Sequence, residues 1–254
     1  MRHGGVVLVL VLLVLCGPAR GGAWLRDPGE GFLSFGTTIR PDRIVPDHEA
    51  KLYLEYGVAK RLTLGVDINE TPGVTGHAIL FARLPVGRGE GALKQAMEMG
   101  IGGHHWQEDW WGFYKLGYSL GRGVENRRGN AWWALDANYD RRLGNDQPLW
   151  KLDFTWGQSS GMKIRPLMKV ETGYIPSQGV GGSLVPSLMI PGFGDEIWVA
   201  GLEFRHFGGQ NSVGLRLDIW KDFGKGAGED TPNLDGPEIP LRQTAAVTPE
   251  AERR

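Results

Sequence analysis

The stretch RLTLGVDIN, residues 61–69, alternates apolar side chains with polar or small ones without a break. The stretch VGLRLDIW, residues 213–220, repeats this alternation near the end of the chain. A β-strand sends successive side chains to opposite faces, so strict alternation places one face in an apolar environment and the other in a polar one. The apolar face covers a core in a soluble sheet and meets lipid in a membrane barrel. Both stretches therefore predict strands.

About twelve strands are predicted along the chain, separated by clusters of Gly, Pro, Asn and Asp. Their length is close to the ~9–11 residues that cross a bilayer at a tilt. A short helix is the alternative at residues 92–97. The predicted strands are 30–40, 48–58, 61–70, 75–86, 92–103, 111–121, 129–141, 148–158, 162–174, 182–190, 196–206 and 212–223. We therefore predict an all-β fold, a closed antiparallel transmembrane β-barrel of about twelve strands, with a soluble sandwich as the alternative.

The two faces of the predicted strands differ sharply in charge. An arginine or lysine facing lipid at the bilayer centre costs about 2–4 kcal/mol, which would drive charges to the other face. One parity collects apolar residues such as Leu64, Leu135 and Leu202. The opposite parity collects the residues predicted to line the lumen, which are Glu55, Asp67, Arg83, Glu98, Lys115, Asp136, Asp153, Lys169, Glu171, Glu203, Arg205, Arg216 and Asp218. A one-residue step changes the face, so we expect Leu64→Arg to block assembly and Thr63→Arg to be tolerated better.

Residues 1–21 are predicted to be a signal peptide. A short basic start precedes the apolar run 6–15, and Ala19-Arg20-Gly21 forms a small-x-small cleavage site. The run is shorter than the ~20 residues of a membrane helix, which favours a signal peptide that is removed. The alternatives are a retained N-terminal anchor and lipidation at Cys16. Cys16 is the only cysteine, so the mature chain has no disulfide or thiolate chemistry. The barrel is predicted over residues 22–223. Residues 224–254 are rich in proline and charge, so we predict a disordered periplasmic tail there.

The composition supports a barrel in the outer membrane of a Gram-negative bacterium. The net charge of −1 provides no basic field for nucleic acid, which we exclude as a partner. The chain has 40 glycines for tight turns and 10 tryptophans, a residue that favours the membrane–water boundary. A mean hydropathy of −0.26 fits a barrel in which only alternate residues meet lipid. The expected partner in the mature state is outer-membrane lipid.

The last predicted strand ends at an aromatic residue. Phe223 shares the parity of Val213, Leu215, Leu217 and Ile219, which places it on the apolar face. Outer-membrane barrels commonly end in such a strand, and the barrel-assembly machinery recognises it. Phe223 is therefore predicted to be an assembly signal, with the barrel-assembly machinery as a partner during biogenesis.

Three segments carry a resemblance to a known group. They are Gly22-Ala23-Trp24, the LYLEYG stretch at 52–57 leading into 61–65, and the closing LDIWKDF at 217–223. In these the chain resembles a group of uncharacterised proteobacterial outer-membrane β-barrels, and more distantly the transport barrels associated with aromatic-compound degradation. The resemblance spans most of the mature chain, and its motifs are turns and strand ends. It implies a fold and a location, and it implies no catalytic residue.

The motifs typical of enzymes and metal sites have structural explanations here. Gly117–Gly121 has the G-x-S-x-G form of a serine hydrolase, but Ser119 lies in an alternating strand without the following helix that this chemistry needs. The histidines of the mature chain fall near one rim of the predicted barrel, and only His104 and His105 are adjacent. Adjacent histidines do not converge on one metal as i, i+4 pairs do. We expect no enzyme activity, no cofactor and no metal.

The predicted lumen has acidic and basic residues in near balance. A barrel of about twelve strands is narrow, because wide aqueous channels need about sixteen strands or more. Opposite charges should pair across it, so that replacing Arg83, Arg205 and Arg216 together by Ser should open it. No connection on the outer side is long enough for a folded-in plug. We therefore predict a narrow channel for small solutes, with a non-conducting barrel and, less favoured, an outer-leaflet lipid enzyme as alternatives.

Overall fold

The computed structural model describes residues 22–41, 47–87, 91–144 and 147–224. These residues form twelve β-strands. The strands are β1 (Glu30–Arg40), β2 (Asp47–Ala59), β3 (Leu62–Thr71), β4 (Thr75–Pro85), β5 (Leu93–Trp106), β6 (Asp109–Asn126), β7 (Gly129–Arg142), β8 (Leu149–Gln158), β9 (Arg165–Ile175), β10 (Gly179–Pro191), β11 (Ile197–Phe207) and β12 (Gln210–Gly224). Each predicted strand corresponds to one of them.

The strands close into a single antiparallel barrel. Each strand pairs with its neighbours in sequence, and β1 pairs with β12 to complete the ring. This confirms the predicted fold and rules out a sandwich of two sheets. The helix considered at 92–97 is wrong, because β5 begins at Leu93 and continues to Trp106. β6 is longer than the predicted 111–121 and spans 18 residues.

The two faces of the wall differ as the alternation predicts. Leu80 is 64% exposed, whereas the next residue in β4, Phe81, is 4% exposed. In β5 the neighbouring Ile101 is 70% exposed, since no described residue covers it on the outer face. A charge on that face would stand among these apolar side chains. The outer surface is therefore suited to contact with lipid.

The barrel interior is packed at one end. We call this the N-terminal end, because β1 begins there and Glu30 pairs with Gly224 of β12; the opposite end is called the far end. Apolar side chains from six strands meet inside the barrel. The buried members of this cluster are Phe32, Trp132, Ala134, Leu167, Met189, Ile197, Val199 and Trp220. The barrel therefore has a packed floor instead of a continuous wide pore.

Residues 22–29 precede β1, and the part up to Arg26 lies inside the barrel, whereas Asp27 and Pro28 are exposed. The segment is held at the wall where the Gly29 amide donates to the Gly57 carbonyl oxygen at 2.9 Å. A turn follows, in which the Glu30 amide donates to the Asp27 carbonyl oxygen at 2.9 Å. Ala23 is 2% exposed and Arg26 is 4% exposed. The sequence does not predict that this N-terminal segment enters the interior.

The predicted signal peptide (1–21) and nearly all of the predicted tail (224–254) lie outside the described residues. Gly224 itself is described and is the last residue of β12, one position beyond the predicted end of the barrel. Within the described ranges, no helix is long and apolar enough to cross a membrane.

Candidate functional site

The barrel interior is the candidate functional site. All of the residues predicted to line the lumen lie on the inward parity of their strands, which is the parity of the buried side chains. They are Glu55, Asp67, Arg83, Glu98, Lys115, Asp136, Asp153, Lys169, Glu171, Glu203, Arg205, Arg216 and Asp218. The structure separates them into groups with different partners and different exposure.

Arg83 is the centre of an ion-pair network near the N-terminal end. Its Nη1 lies 2.7 Å from Glu55 Oε2, and its Nη2 lies 2.7 Å from Glu98 Oε2. Arg83 Nη2 also donates to the Tyr53 hydroxyl at 2.6 Å. Lys115 Nζ lies 2.8 Å from the other oxygen of Glu98. We call these five residues the Arg83 network. Buried charges are tolerated only when paired in this way, so the network holds its members in fixed positions.

Arg26 ties the N-terminal segment to this network. Its Nε donates to Glu55 Oε1 at 2.5 Å, and its Nη1 donates to Asp222 Oδ1 at 2.9 Å. Its backbone amide donates to Thr63 Oγ1 at 2.9 Å, and its guanidinium lies 4.8 Å from the Phe32 ring centre. Thr63 is fully buried in this contact, so an arginine there would disturb the N-terminal segment, and the expectation that Thr63→Arg is tolerated better than Leu64→Arg stays a prediction.

Trp24 extends across the interior and contacts β6 and β7. Its ring meets Trp132 edge to face with ring centres 6.2 Å apart. It also lies over Gly121, where an added Cβ would come within 2.4 Å of the indole ring. Arg83 Nη1 donates to the Trp24 carbonyl oxygen at 3.5 Å. The segment thus spans from the β2–β3 wall to the β6–β7 wall.

A second network lies toward the far end. Arg40 Nε is 2.6 Å from Glu203 Oε2, and Arg40 Nη2 is 2.9 Å from Glu49 Oε2. Lys51 Nζ and Asn69 Nδ2 both bind the other oxygen of Glu49, at 3.0 and 2.5 Å. This network joins side chains of β1, β2, β3 and β11. Its ion pair between Arg40 of β1 and Glu203 of β11 spans β12, the strand that closes the barrel on β1.

Arg216 forms a third group with acidic residues of β9 and β12. Its Nη1 is 2.9 Å from Glu171 Oε1, and its Nε is 3.4 Å from Asp218 Oδ2. The Ser183 hydroxyl donates to the second Glu171 oxygen at 2.9 Å. Lys169 lies 5.3 Å from the centre of the Trp220 ring. Glu171 is thus satisfied on both of its oxygens.

Three carboxylates lie side by side on neighbouring strands. Asp153 of β8 is in register with Asp136 of β7 and with Glu171 of β9. We call these three residues the acidic row. Asp153 Oδ1 accepts a hydrogen bond from the Thr172 amide at 3.2 Å. Among the described residues no ion pair within 4 Å is formed by Asp136 or Asp153, and Asp136 Oδ1 is buried without a hydrogen-bond partner.

The histidines are dispersed along the far half of the barrel. His77 Nε2 is 3.6 Å from Asp67 Oδ1, and His105 Nε2 is 2.8 Å from Glu70 Oε2. His104 binds the Leu143 carbonyl oxygen, and His206 binds Asn211. Within the described ranges, no three His, Cys, Asp or Glu residues are grouped as metal ligands.

The remaining sequence motifs are built into strands. Ser119 lies within β6 and is in register with Asp136, so it does not stand on a strand–helix turn. Phe223 stacks on Tyr56 with ring centres 6.5 Å apart and covers Gly31. Trp106 and Trp110 are exposed beside the turn that joins β5 to β6 at the far end.

In its fold the chain is similar to a solved structure described as the KdgM porin. The TM-score is 0.53 at 10% sequence identity, covering 74% of this chain and 97% of that chain. A second structure, the KdgM porin in complex with disordered oligogalacturonate, has a TM-score of 0.51 at 10% identity with the same coverage. No protein-family model matches the sequence, and no curated protein matches it. The likeness at this identity establishes the barrel fold alone.

Sequence reasoning missed Trp24, Arg26 and Tyr53 as interior residues. Tyr53 shares the parity of Glu55, so the alternation of β2 contained the signal. Trp24 and Arg26 precede β1 in a segment without alternation. Their only sequence signal is a bulky aromatic and a cation just after the predicted cleavage site.

Proposed function

We propose that this protein is an outer-membrane β-barrel that acts as a narrow channel for small solutes. The observation that carries the proposal is that charged side chains of the interior differ in exposure, with partly exposed ones on β2, β8 and β9 and deeply buried ones in the Arg83 network. The side chains of Lys51, Lys151 and Glu171 are 26%, 32% and 33% exposed. Those of Arg83 and Glu55 are 4% and 3% exposed. The partly exposed side chains thus lie toward the far end, where Arg40 and Glu203 are nevertheless buried at 5% and 3%, and the proposed constriction lies at the Arg83 network near the N-terminal end.

The constriction is formed by the Arg83 network and the N-terminal segment. Arg26 and Trp24 occupy space that a solute would need, so passage requires small size or movement of this segment. Most acids and bases of the interior pair with one another, which favours weak charge selectivity. One neighbour in fold is described in complex with oligogalacturonate. The paired charges here favour small, weakly polar solutes instead, in line with the resemblance to barrels of aromatic-compound degradation.

A non-conducting barrel is the second candidate. The packed floor around Trp132 and Trp220 favours it, because tightly packed interiors leave no continuous water path. We propose no catalytic function for either form, since Ser119 is part of a regular strand.

The proposed location is the outer membrane of a Gram-negative bacterium, with the N-terminal end in the periplasm. The support is the apolar outer face of the barrel together with the signal peptide predicted at 1–21. The proposed partners are outer-membrane lipid and, during biogenesis, the barrel-assembly machinery. Phe223 on the outer face of the last strand is the proposed recognition residue.

Conductance in planar bilayers tests the proposal. Protein comprising residues 22–254 is refolded in detergent and compared with a variant that begins at Pro28 and lacks the segment that crosses the interior. We expect small, weakly selective conductance from the longer protein and larger conductance from the shorter one. Absence of conductance in both would support the non-conducting barrel, and wide-porin conductance in the longer protein would contradict the constriction.

A further inference from the structure

The position of Gly22 has a consequence for how the protein matures. A Cβ added to Gly22 would lie 2.6 Å from Asp136 Oδ1 and 2.8 Å from Ser119 Oγ. The backbone of Gly22 therefore lies directly beside this carboxylate inside the barrel. The residues that follow are held inside the barrel. Ala23 is buried, Trp24 contacts Trp132, and Arg26 binds Glu55.

Among the described residues, Asp136 has no cationic partner. Ser119 is in register with Asp136, but Oδ1 of Asp136 is buried and has no hydrogen-bond partner. The neighbouring carboxylate of Asp153 is in register with it, and neither forms an ion pair among the described residues. A buried carboxylate without a cation is costly, so a cation is expected here.

We propose that Gly22 is the first residue of the mature protein and that its α-ammonium group is the cationic partner of Asp136. The inference rests on the interior geometry and holds whether or not the barrel conducts. Removal of the signal peptide would then give Asp136 of the acidic row a cationic partner and fasten the N-terminal segment inside the barrel.

The processing step supplies the charge without any cofactor. Hydrolysis breaks the peptide bond between Gly21 and Gly22, with the hydroxyl of water adding to the Gly21 carbonyl carbon. The released amino group on Gly22 takes up a proton at neutral pH, because free α-amino groups titrate near pH ~8. An uncleaved chain has an amide nitrogen at this position, which carries no charge. Cleavage is therefore what makes position 22 a partner for Asp136.

Arg83 and Lys115, two cations of the Arg83 network, already form ion pairs with other carboxylates. Arg83 binds Glu55 and Glu98, and Lys115 binds Glu98. Glu171, at the other side of the acidic row, is neutralised by Arg216. The α-ammonium group is thus the cation that the geometry brings to Asp136 without breaking another pair.

The first measurement is the mass of the protein purified from outer membranes, which should match a chain that begins at Gly22. The second is the rate at which 2-pyridinecarboxaldehyde, a reagent selective for N-terminal amines, labels the folded protein. We expect Asp136→Asn to raise this rate about tenfold, because a lost pair worth about 1.4 kcal/mol changes an equilibrium by that factor. Asp153→Asn is the matched control, since the atoms nearest to a Cβ added at Gly22 belong to Asp136 and Ser119, and it should leave the rate close to wild type.

A second variant keeps the test valid if Asp136→Asn does not fold. Two residues, Gly-Ser, inserted before Gly22 move the amine away from Asp136 while leaving every side chain in place. We expect this insertion to lower the unfolding temperature as much as Asp136→Asn does, and the combination to cause no further loss, since both remove one interaction. A mature chain beginning elsewhere, equal labelling of wild type and Asp136→Asn, or additive losses would each overturn the proposal.

Discussion

At the scale of single residues, the absence of a side chain at position 121 allows the N-terminal segment to dock. An added Cβ at Gly121 would lie 2.4 Å from the Trp24 ring and 2.8 Å from Ala23 Cβ. Gly121 is on the inward face, so a methyl group there leaves the outer surface unchanged. Its effect should therefore fall on the segment and not on the barrel wall.

We expect Gly121→Ala to release the N-terminal segment from a barrel that still forms. Overpacking of this kind costs about 1–3 kcal/mol, so trypsin should cut after Arg26 about tenfold faster than in wild type. Intact mass after limited digestion of the refolded protein measures this cut. The matched control is Gly117→Ala in the same strand, where the added Cβ meets the Asn138 side-chain oxygen at 2.6 Å instead of the segment. Equal digestion of both variants would contradict the docking role of position 121.

The lipid-facing assignment is also tested by single residues. Leu135 and Asn138 lie on opposite faces of β7, with Leu135 outward and Asn138 inward. We expect Leu135→Arg to reduce the assembled fraction strongly, since a charge facing mid-bilayer lipid costs about 2–4 kcal/mol. Asn138→Arg is the control and should assemble far better, because it joins a charged interior. Heat-modifiable migration in gels measures assembly, and similar damage from both would show that the faces are misassigned.

At the scale of elements, strands are predictable here and pairing partners are not. The alternation of 61–69 identifies β3 because one face must be apolar for the whole width of a membrane. The pairing of Arg83 with Glu98 depends on the register of β4 against β5, which no local pattern encodes. Residues 22–29 show no period, because their contacts are long-range and lie on β2, β3, β6 and β7. The inward face was therefore predictable, whereas the constriction was not.

The end of β12 carries a prediction at this scale. Phe223 packs on Tyr56, so Phe223→Ala and Tyr56→Ala both remove one stacked pair, worth about 0.5–1.5 kcal/mol. We expect the two variants to refold equally well in detergent, and Phe223→Ala alone to lower the outer-membrane level in cells. Deletion of residues 225–254 should change neither quantity. If Tyr56→Ala is as harmful as Phe223→Ala in cells, packing and not recognition of the terminal aromatic explains the effect.

At the scale of the whole molecule, we expect the interior ion pairs to decide whether the barrel conducts. The Arg83 network and Arg26 hold the N-terminal segment across the interior, whereas Arg205 lies over the Phe207 ring toward the far end. The three arginines expected from the sequence to act together are therefore unequal. Arg83 lies at the constriction, Arg216 belongs to the group around Glu171, and Arg205 forms no ion pair among the described residues.

We expect Arg26→Ser combined with Arg83→Ser to raise conductance and to favour cations. The two changes leave Glu55 without a cation and free the segment, so water and cations can enter the constriction. Breaking buried pairs commonly costs about 3–5 kcal/mol each, and a lower unfolding temperature should accompany the gain. Arg205→Ser is the matched control and should change neither quantity. Reversal potentials in a salt gradient measure the ion preference. Unchanged conductance and preference in the double variant would show that these arginines do not close the lumen.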